Sequence, residues 1–191
     1  TSKMSNTFLN YLYNLSDVVC NPSSAEGFGL SHMESLMSGT PTIATVVGGL
    51  QDQMGFKVNG EEFTKEHLTS EIPSNSTGKI SKECGKWAYP LWPQINLQGS
   101  PATPYIYDSR PNIQSIADGI KHWYVMGDKQ REECGLAGRQ WAIEHGFTQV
   151  GMCNSTVQAI EKCFDEFRPR ERYTLIDTGV PEPKRNKGIL V

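Results

Sequence analysis

The chain has 191 residues, of which 37% are hydrophobic and 20% charged, so it is long enough for one globular domain with a sizeable core. Its formal net charge of −3 argues against nucleic acid or an anionic membrane as partner, because both favour a basic face. No apolar run reaches the ~18 residues of a membrane-spanning helix. The five scattered cysteines favour free thiols in a reducing compartment and predict a cytoplasmic protein.

The first third of the chain predicts a strand, a helix and a second strand. Residues 6–15 (NTFLNYLYNL) have helical apolar spacing from the start, so we expect the chain to begin inside a fold and to be part of a longer polypeptide. Residues 17–21 (DVVCN) predict a parallel strand buried on both faces, with Cys20 in the core. A helix is predicted over 30–38, stopped by Gly39, and a strand over 42–47, closed by Gly48-Gly49.

Residues 55–103 differ in composition from the flanking segments. They are rich in proline, serine, glycine and asparagine and lack a clean period, but Trp87, Tyr89 and Trp92 are unusual for a disordered linker. We therefore predict an irregular insertion that packs as a lobe or flap, in which these aromatic residues anchor the loop rather than stack on a ligand. Residues 103–110 (TPYIYDSR) predict a further strand.

The last third predicts three helices. Two are expected over 113–124 and 129–145, and Thr148 is predicted to cap a third. The apolar stripe of the third helix, with both of its cysteines, is expected to face a core and consists of Val150, Cys153, Val157, Ile160, Phe164 and Phe167. We therefore predict that the chain consists of one lobe over residues 1–168 and a polar tail over residues 169–191.

A short glycine loop, Gly27-Phe28-Gly29, lies between the first strand and the helix that follows. Glycines allow backbone N–H groups to approach a ligand, and a helix start carries unpaired N–H groups, so the loop predicts an anion site suited to a diphosphate. Glu34, one turn into the helix, could accept hydrogen bonds from ribose hydroxyls, and Glu26 could do so from sugar hydroxyls on the other side. A nucleotide-diphosphate sugar has this combination of groups.

The stretch E-G-F-G-L-S-H-M-E, residues 26–34, resembles the E-x7-E motif of retaining glycosyltransferases of the GT-B fold, family 4 (glycosyl transferases group 1). The surrounding pattern of Pro-Ser, Gly-Thr-Pro and Gly-Gly is similar over residues 15–52 and more weakly over 105–167. The segment WAYPLWPQ…LQGSPATPYIYD within the insertion resembles glycosyltransferases of large viruses or tailed phages.

The resemblance implies an α/β fold, namely the Rossmann-like, donor-binding C-terminal lobe of a GT-B enzyme, with a partial parallel sheet, an irregular insertion and C-terminal helices. It implies that Glu26 contacts the donor sugar and stabilises the reacting centre, and that Glu34 binds the ribose. The implied backbone contacts to the diphosphate and the implied walls of the donor pocket are Gly27, Phe28, Gly29 and Leu30, and Gly48, Gly49 and Leu50.

The resemblance also implies what lies outside this chain. The family needs no obligatory metal or cofactor, because the helix start and an Arg/Lys pair stabilise the leaving diphosphate. That pair and the lobe that binds a sugar or glycan acceptor are expected upstream of Thr1, so the chain alone should bind donor weakly and be inactive. Asp52 falls near the place of a Pro-Glu pair in the family, so its role stays open.

Other interpretations remain possible at this level. The residues GFGLSH resemble a dinucleotide-binding fingerprint, but His32 occupies the third glycine position and no acidic residue ends the second strand. A GT-B nucleotide-sugar epimerase or sugar-phosphate synthase would share the diphosphate loop. A nucleotide-sugar-binding module without catalysis is the alternative outside the enzymes.

Overall fold

The computed structural model describes residues 4–100 and 102–169. The chain divides into two compact units, residues 1–155 and 156–191, and the described part of the second unit is the end of the last helix and the three residues after it. A 3-10 turn lies at Lys65–His67. The helices and strands are, in chain order, α1 (Asn6–Leu15), β1 (Val19–Asn21), α2 (Leu30–Met37), β2 (Thr42–Thr45), α3 (Gly48–Asp52), β3 (Lys57–Val58), β4 (Glu61–Glu62), β5 (Ala88–Leu91), β6 (Pro93–Ser100), β7 (Thr103–Pro111), α4 (Ile113–Met126), α5 (Asp128–Glu144) and α6 (Gln149–Glu166).

The centre of the first unit is a parallel sheet in the order β1-β2-β5. Val19 pairs with Thr42 at one end of the β1–β2 ladder, and Thr45 pairs with Leu91 at the far end of the β2–β5 ladder. The fold is the expected mixed α/β architecture with a parallel sheet and flanking helices. The loops that leave β1 and β2 lie at the same edge of this sheet, because both strands run in the same direction.

The middle strand, β2, is buried on both faces, as a parallel strand between helices should be. Ala44 belongs to a core cluster with Leu36 of α2 and Ala142 of α5. The neighbouring Ile43 points to the opposite face, where it packs in a second cluster with Trp123 of α4. Helices on both faces therefore fix β2 and the loop that follows it.

The strand–helix–strand unit is confirmed with small changes at its ends. Helix α2 ends at Met37, and Gly39 adopts φ +78, as expected for a C′ glycine. The N–H of Gly39 donates to Leu36 O at 2.9 Å, and the N–H of Thr40 donates to Ser35 O at 3.0 Å. These two bonds form a Schellman motif, which ends α2 sharply and turns the chain into β2.

The expectation that the first strand is buried on both faces is wrong. Within the described residues β1 pairs only with β2, so it is an edge strand of this sheet. Its middle residue, Cys20, is exposed, and the flanking residues are half-buried. An apolar run indicates a strand, but it does not reveal whether helices cover both faces.

The segment 55–103 is more regular than predicted. Residues 88–91 form β5, the third strand of the central sheet, although they were expected to belong to an irregular lobe. Trp87, just before this strand, is buried in the main core. Only residues 57–83 match the expectation of an irregular segment, with the short ribbon of β3 and β4 and a 3-10 turn.

The strand predicted over 103–110 is confirmed as β7, and its partner is the neighbouring strand β6. The two form an antiparallel hairpin, with Leu97 opposite Tyr107 and Asn96 opposite Asp108. Directly opposite residues share a face of the ribbon, so Leu97 and Tyr107 lie on one face and Asn96 and Asp108 on the other. The side chain of Tyr107 is exposed.

The three C-terminal helices are confirmed, with α4, α5 and α6 starting within one residue of their predicted first positions. Thr148 caps α6, since its Oγ1 accepts the N–H of Gly151 at 3.0 Å. The prediction that the α6 stripe faces a core is wrong, because no residue of α6 is buried and both Cys153 and Cys163 are exposed. The predicted tail falls almost entirely on residues 170–191, outside the described residues. No helix in the described ranges is long and apolar enough to cross a membrane.

Candidate donor-binding site

The predicted site lies where the loops after β1 and β2 meet. In open parallel sheets, ligands bind in the crevice outside the carboxyl ends of the strands. The loop after β1 starts with a local hydrogen-bond network around Asn21, which accepts from Ser23 Oγ at 2.6 Å and donates to Ser31 Oγ at 3.4 Å. These bonds connect the start of the loop to the first turn of α2.

Gly29 forms the junction between this loop and α2. It adopts φ +90, and a Cβ built on it would lie 2.4 Å from Cδ2 of Leu50, which is fully buried beneath the loop. Any larger residue would meet both a left-handed backbone and a filled core. The glycine that sequence analysis assigned to ligand approach is therefore also needed for packing.

The two glycine segments of the predicted site are packed directly against each other. The N–H of Gly49 donates to Gly27 O at 3.1 Å. A Cβ on Gly48 would lie 1.8 Å from Glu26 O, and one on Gly49 would lie 2.6 Å from Gly27 O. The side-chain amide of Gln53 donates to Phe28 O and holds the loop from the side of α3. The structure thus brings together residues 26–29 and 48–50, which are about 20 positions apart in sequence.

Several backbone donors at this junction are available to a ligand or to water. The N–H groups of His32 and Met33 both donate to Gly29 O at 3.1 Å. In the part of the chain that the structure describes, no acceptor is assigned to the N–H groups of residues 28–31. The N–H of Gly27, by contrast, donates to Oε1 of Glu26 at 3.1 Å. The start of α2 therefore presents the unpaired donors and partial positive charge that favour an anion.

The two glutamates of the E-x7-E stretch have different surroundings. Glu26 is half-buried and its carboxylate lies over its own loop, bonded to the next N–H. Glu34 is exposed and accepts a hydrogen bond from the hydroxyl of Tyr13, on α1, at 2.8 Å. Burial, together with this hydrogen bond and the negative charge of Glu34, raises the pKa of Tyr13 to about 12. Sequence analysis did not identify Tyr13, which lies 21 residues from its partner.

The remaining predicted site residues differ in how exposed their side chains are. The side chain of Leu30 is 69% exposed and that of Phe28 is 40% exposed, with the Phe28 ring centroid 6.1 Å from that of Phe147. Leu50 is buried and its N–H donates to Val47 O at 3.2 Å, so it can affect the site only by packing against the loop from the core.

His32 lies under the site as a neutral core residue. It is fully buried, with Nε2 2.7 Å from Oγ1 of Thr42 on β2. Burial lowers its pKa to about 4, so the ring is uncharged at neutral pH. A proton on Nε2 lets the ring donate to Thr42, whose hydroxyl can donate onward to Trp87 O at 3.5 Å. This tautomer leaves only an acceptor, Nδ1, without a partner in the described residues.

The β6–β7 hairpin contacts the same loop, which sequence analysis did not foresee. Asp108 receives a hydrogen bond from Arg110 at 2.5 Å and another from Ser24, two residues before Glu26. Both bonds hold the pKa of the Asp108 carboxyl below its usual value, led by the bond from Arg110. The polar face of the hairpin thus adjoins the loop and brings a guanidinium near it.

The aromatic residues of segment 55–103 lie in packing positions, whereas Asp52 is an exposed residue beside a small cavity. Partial burial raises the pKa of Asp52, which lines a small cavity of about 140 Å³. Trp87 is buried, and the Trp92 ring lies 5.7 Å from that of Phe56, centroid to centroid. These contacts support the view that the tryptophans anchor their segment. No three His, Cys, Asp or Glu side chains of residues 4–100 and 102–169 are grouped to hold a metal ion.

Part of the chain is similar in sequence to known glycosyltransferases. Residues 1–68 match the family model described as Glycosyl transferases group 1. The chain is 41% identical over 56 residues to D-inositol 3-phosphate glycosyltransferase of Corynebacterium urealyticum. It is 42% identical over 52 residues to an uncharacterized glycosyltransferase of Methanocaldococcus jannaschii. Each match covers 27% of this chain and only 13% of the relative.

The fold is similar to that of a larger solved structure. Sucrose-phosphate synthase from Thermosynechococcus elongatus superposes with a TM-score of 0.52 at 18% identity, over 86% of this chain and 30% of that one. At this identity the similarity concerns the fold, and the present chain corresponds to less than a third of that protein's length. Residues 1–68 are therefore similar in sequence to the Glycosyl transferases group 1 family, and the α/β fold of the chain is similar to that of GT-B glycosyltransferase structures.

Proposed function

We propose that this chain is the donor-binding part of a retaining glycosyltransferase, which moves a sugar from a nucleotide-diphosphate sugar to a sugar or glycan acceptor. The observation that carries the proposal is the junction of residues 26–29 with 48–50. It combines N–H donors at the start of α2 with Glu26 on the loop just before them, and Glu34 follows one turn into α2. The match of residues 1–68 to a glycosyltransferase family gives independent support.

Each part of the site has a role in this chemistry. The N–H groups at the start of α2 would bind the diphosphate and stabilise the charge that develops on it as it leaves. Glu34 would accept hydrogen bonds from the ribose hydroxyls. Glu26 would contact the transferred sugar and stabilise the positive charge of an oxocarbenium-like transition state. No metal ion or cofactor is required in this scheme.

Two parts of a complete enzyme are not among the described residues. We propose that a pair of basic side chains opposite the diphosphate and an acceptor-binding lobe come from further polypeptide. Both would complete the site only when the lobes are joined. The chain alone should bind donor weakly and turn over negligibly, and the proposal would have to be revised if it catalysed transfer efficiently.

Ligand binding by the chain tests the proposal directly. We expect the diphosphates of uridine, guanosine or adenosine to shift backbone amide resonances of residues 27–34 in heteronuclear NMR spectra. Glu34→Ala should weaken binding of the nucleoside diphosphate by about 10-fold or more, since it removes charge-assisted bonds to two hydroxyls. Binding of inorganic pyrophosphate should change little.

A matched control separates this role from a general loss of negative charge. Glu133 is an exposed glutamate on α5, so Glu133→Ala makes the same chemical change away from the site. It should leave both affinities unchanged. Equal losses of nucleoside diphosphate and pyrophosphate binding in Glu34→Ala would contradict the ribose role, and the absence of any shift in residues 27–34 would contradict the site itself.

A further inference from the structure

We propose that Tyr13 is a positioning residue for the donor site and holds the Glu34 carboxylate in the orientation that receives the ribose hydroxyls. This inference rests on the proposed function and adds a residue from outside the E-x7-E stretch to the same site. Its basis is the hydrogen bond from the Tyr13 hydroxyl on α1 to Oε2 of Glu34 on α2, at 2.8 Å.

Tyr13 is itself fixed at its other end. Its backbone carbonyl accepts a hydrogen bond from Oγ1 of Thr40 at 2.8 Å. One turn earlier on α1, Asn10 Oδ1 accepts from Ser38 Oγ at 3.3 Å. These contacts attach α1 to the end of α2, so the phenol ring reaches Glu34 from a fixed backbone.

The bond restricts a side chain that would otherwise be mobile. Glu34 is exposed, and in the described ranges its carboxylate has no hydrogen-bond partner other than Tyr13. A free glutamate samples many rotamers and must be ordered when a ligand binds. With Oε2 held by Tyr13, that ordering is largely complete before the ligand arrives.

The direction of the bond leaves the carboxylate able to accept from a ligand. Because the pKa of Tyr13 is raised to about 12, the phenol remains a donor at every pH used for nucleotide binding. An ionised carboxylate has about four acceptor positions, and Tyr13 occupies one of them. The pair also lines an open cleft of about 290 Å³ between α1 and α2, so a ligand can reach it.

The test compares nucleoside diphosphates with and without ribose hydroxyls. Uridine, guanosine and adenosine diphosphates are titrated into the full chain, and the tightest is compared with its 2′,3′-dideoxy analogue. The ratio of the two affinities measures recognition of the hydroxyls. Tyr13→Phe should lower this ratio by about 2- to 10-fold, the effect of ordering one side chain.

Three variants serve as controls. Tyr11→Phe makes the same change two residues away on α1, at a side chain that is exposed and has no hydrogen bond in the part of the chain described. It should leave the ratio unchanged. Thr40→Ala removes the other attachment of Tyr13 and should lower the ratio in the same direction as Tyr13→Phe but by less, because the phenol hydroxyl that bonds Glu34 is still present. In a Glu34→Ala background, Tyr13→Phe should have no further effect on the ratio.

The outcomes distinguish this inference from the proposed function. If the wild-type chain binds both analogues equally, the ribose role of Glu34 is wrong, and the role of Tyr13 is wrong with it. If the wild type prefers the ribose form and Tyr13→Phe keeps that preference in full, Glu34 acts without Tyr13 and the inference is overturned.

Discussion

Replacing His32 by glutamine should remove a steep dependence of stability on pH. His32 is fully buried and its pKa is about 4 in the folded chain, compared with 6.5 for an unperturbed histidine. Between these two values the unfolded chain binds a proton that the folded chain does not. The free energy of unfolding therefore falls as the pH drops through this window, and it is unaffected by this group at higher pH.

The size of the effect follows from the difference in pKa. A shift of this extent corresponds to about 3 kcal/mol, since each pKa unit is worth about 1.4 kcal/mol. That is a large share of the 5–15 kcal/mol by which typical domains are stable. We expect wild-type stability to fall by about 3 kcal/mol more than that of His32→Gln between pH 7 and pH 4. Glutamine is uncharged and can still bond to Oγ1 of Thr42.

Urea unfolding, followed by tryptophan fluorescence at half-unit steps of pH, measures this difference. His122→Gln is the matched control, because His122 is an exposed histidine on α4. Its profile gives the effect of a His→Gln change at an exposed position, against which the profile of His32→Gln is compared. Parallel profiles for wild type and His32→Gln would refute the reasoning, since they would show that protonation of His32 does not differ between the folded and unfolded chain.

Two other predictions concern the packing around the loop. Gly49→Ala should lower the melting temperature by several degrees and weaken nucleoside diphosphate binding, because its Cβ would lie 2.6 Å from Gly27 O. Gly27→Ala is the control, since the space around its Cβ is open, and it should melt close to wild type. Differential scanning calorimetry measures both melting temperatures. Ser24→Ala should speed amide hydrogen exchange in β6 and β7, because it removes a bond from the loop to Asp108; unchanged exchange there would mean that the hairpin is held by other contacts.

The unit β1–α2–β2 could be predicted from the sequence because each of its helix and strand signals lies within the element that it determines. Gly39 at a helix end and β-branched residues in β2 each determine structure within a few positions. Strand β5 was missed because its residues, AYPL, have no apolar alternation and include Pro90. Its place in the sheet depends on pairing with β2, more than 40 residues away.

The site residues that could be predicted from the sequence were likewise those that lie close together along the chain. The glycines and the two glutamates form one continuous motif, so they could be predicted together. Tyr13 contacts the motif from α1, Asp108 contacts Ser24 just before it from β7, and no spacing rule connects either residue to the motif. Cys20 shows the opposite error, since its apolar neighbours predicted burial but the strand lies at the sheet edge.

The backbone contact between Gly49 and Gly27 has a consequence for the speed of ligand capture. Main-chain atoms hold the curvature of this loop in the absence of a phosphate, since the N–H of Gly49 donates to Gly27 O at 3.1 Å. If the loop binds a nucleotide as proposed, no slow rearrangement of the loop should precede binding. Association should therefore follow a single exponential whose rate rises linearly with nucleotide concentration, as expected when encounter alone limits the rate.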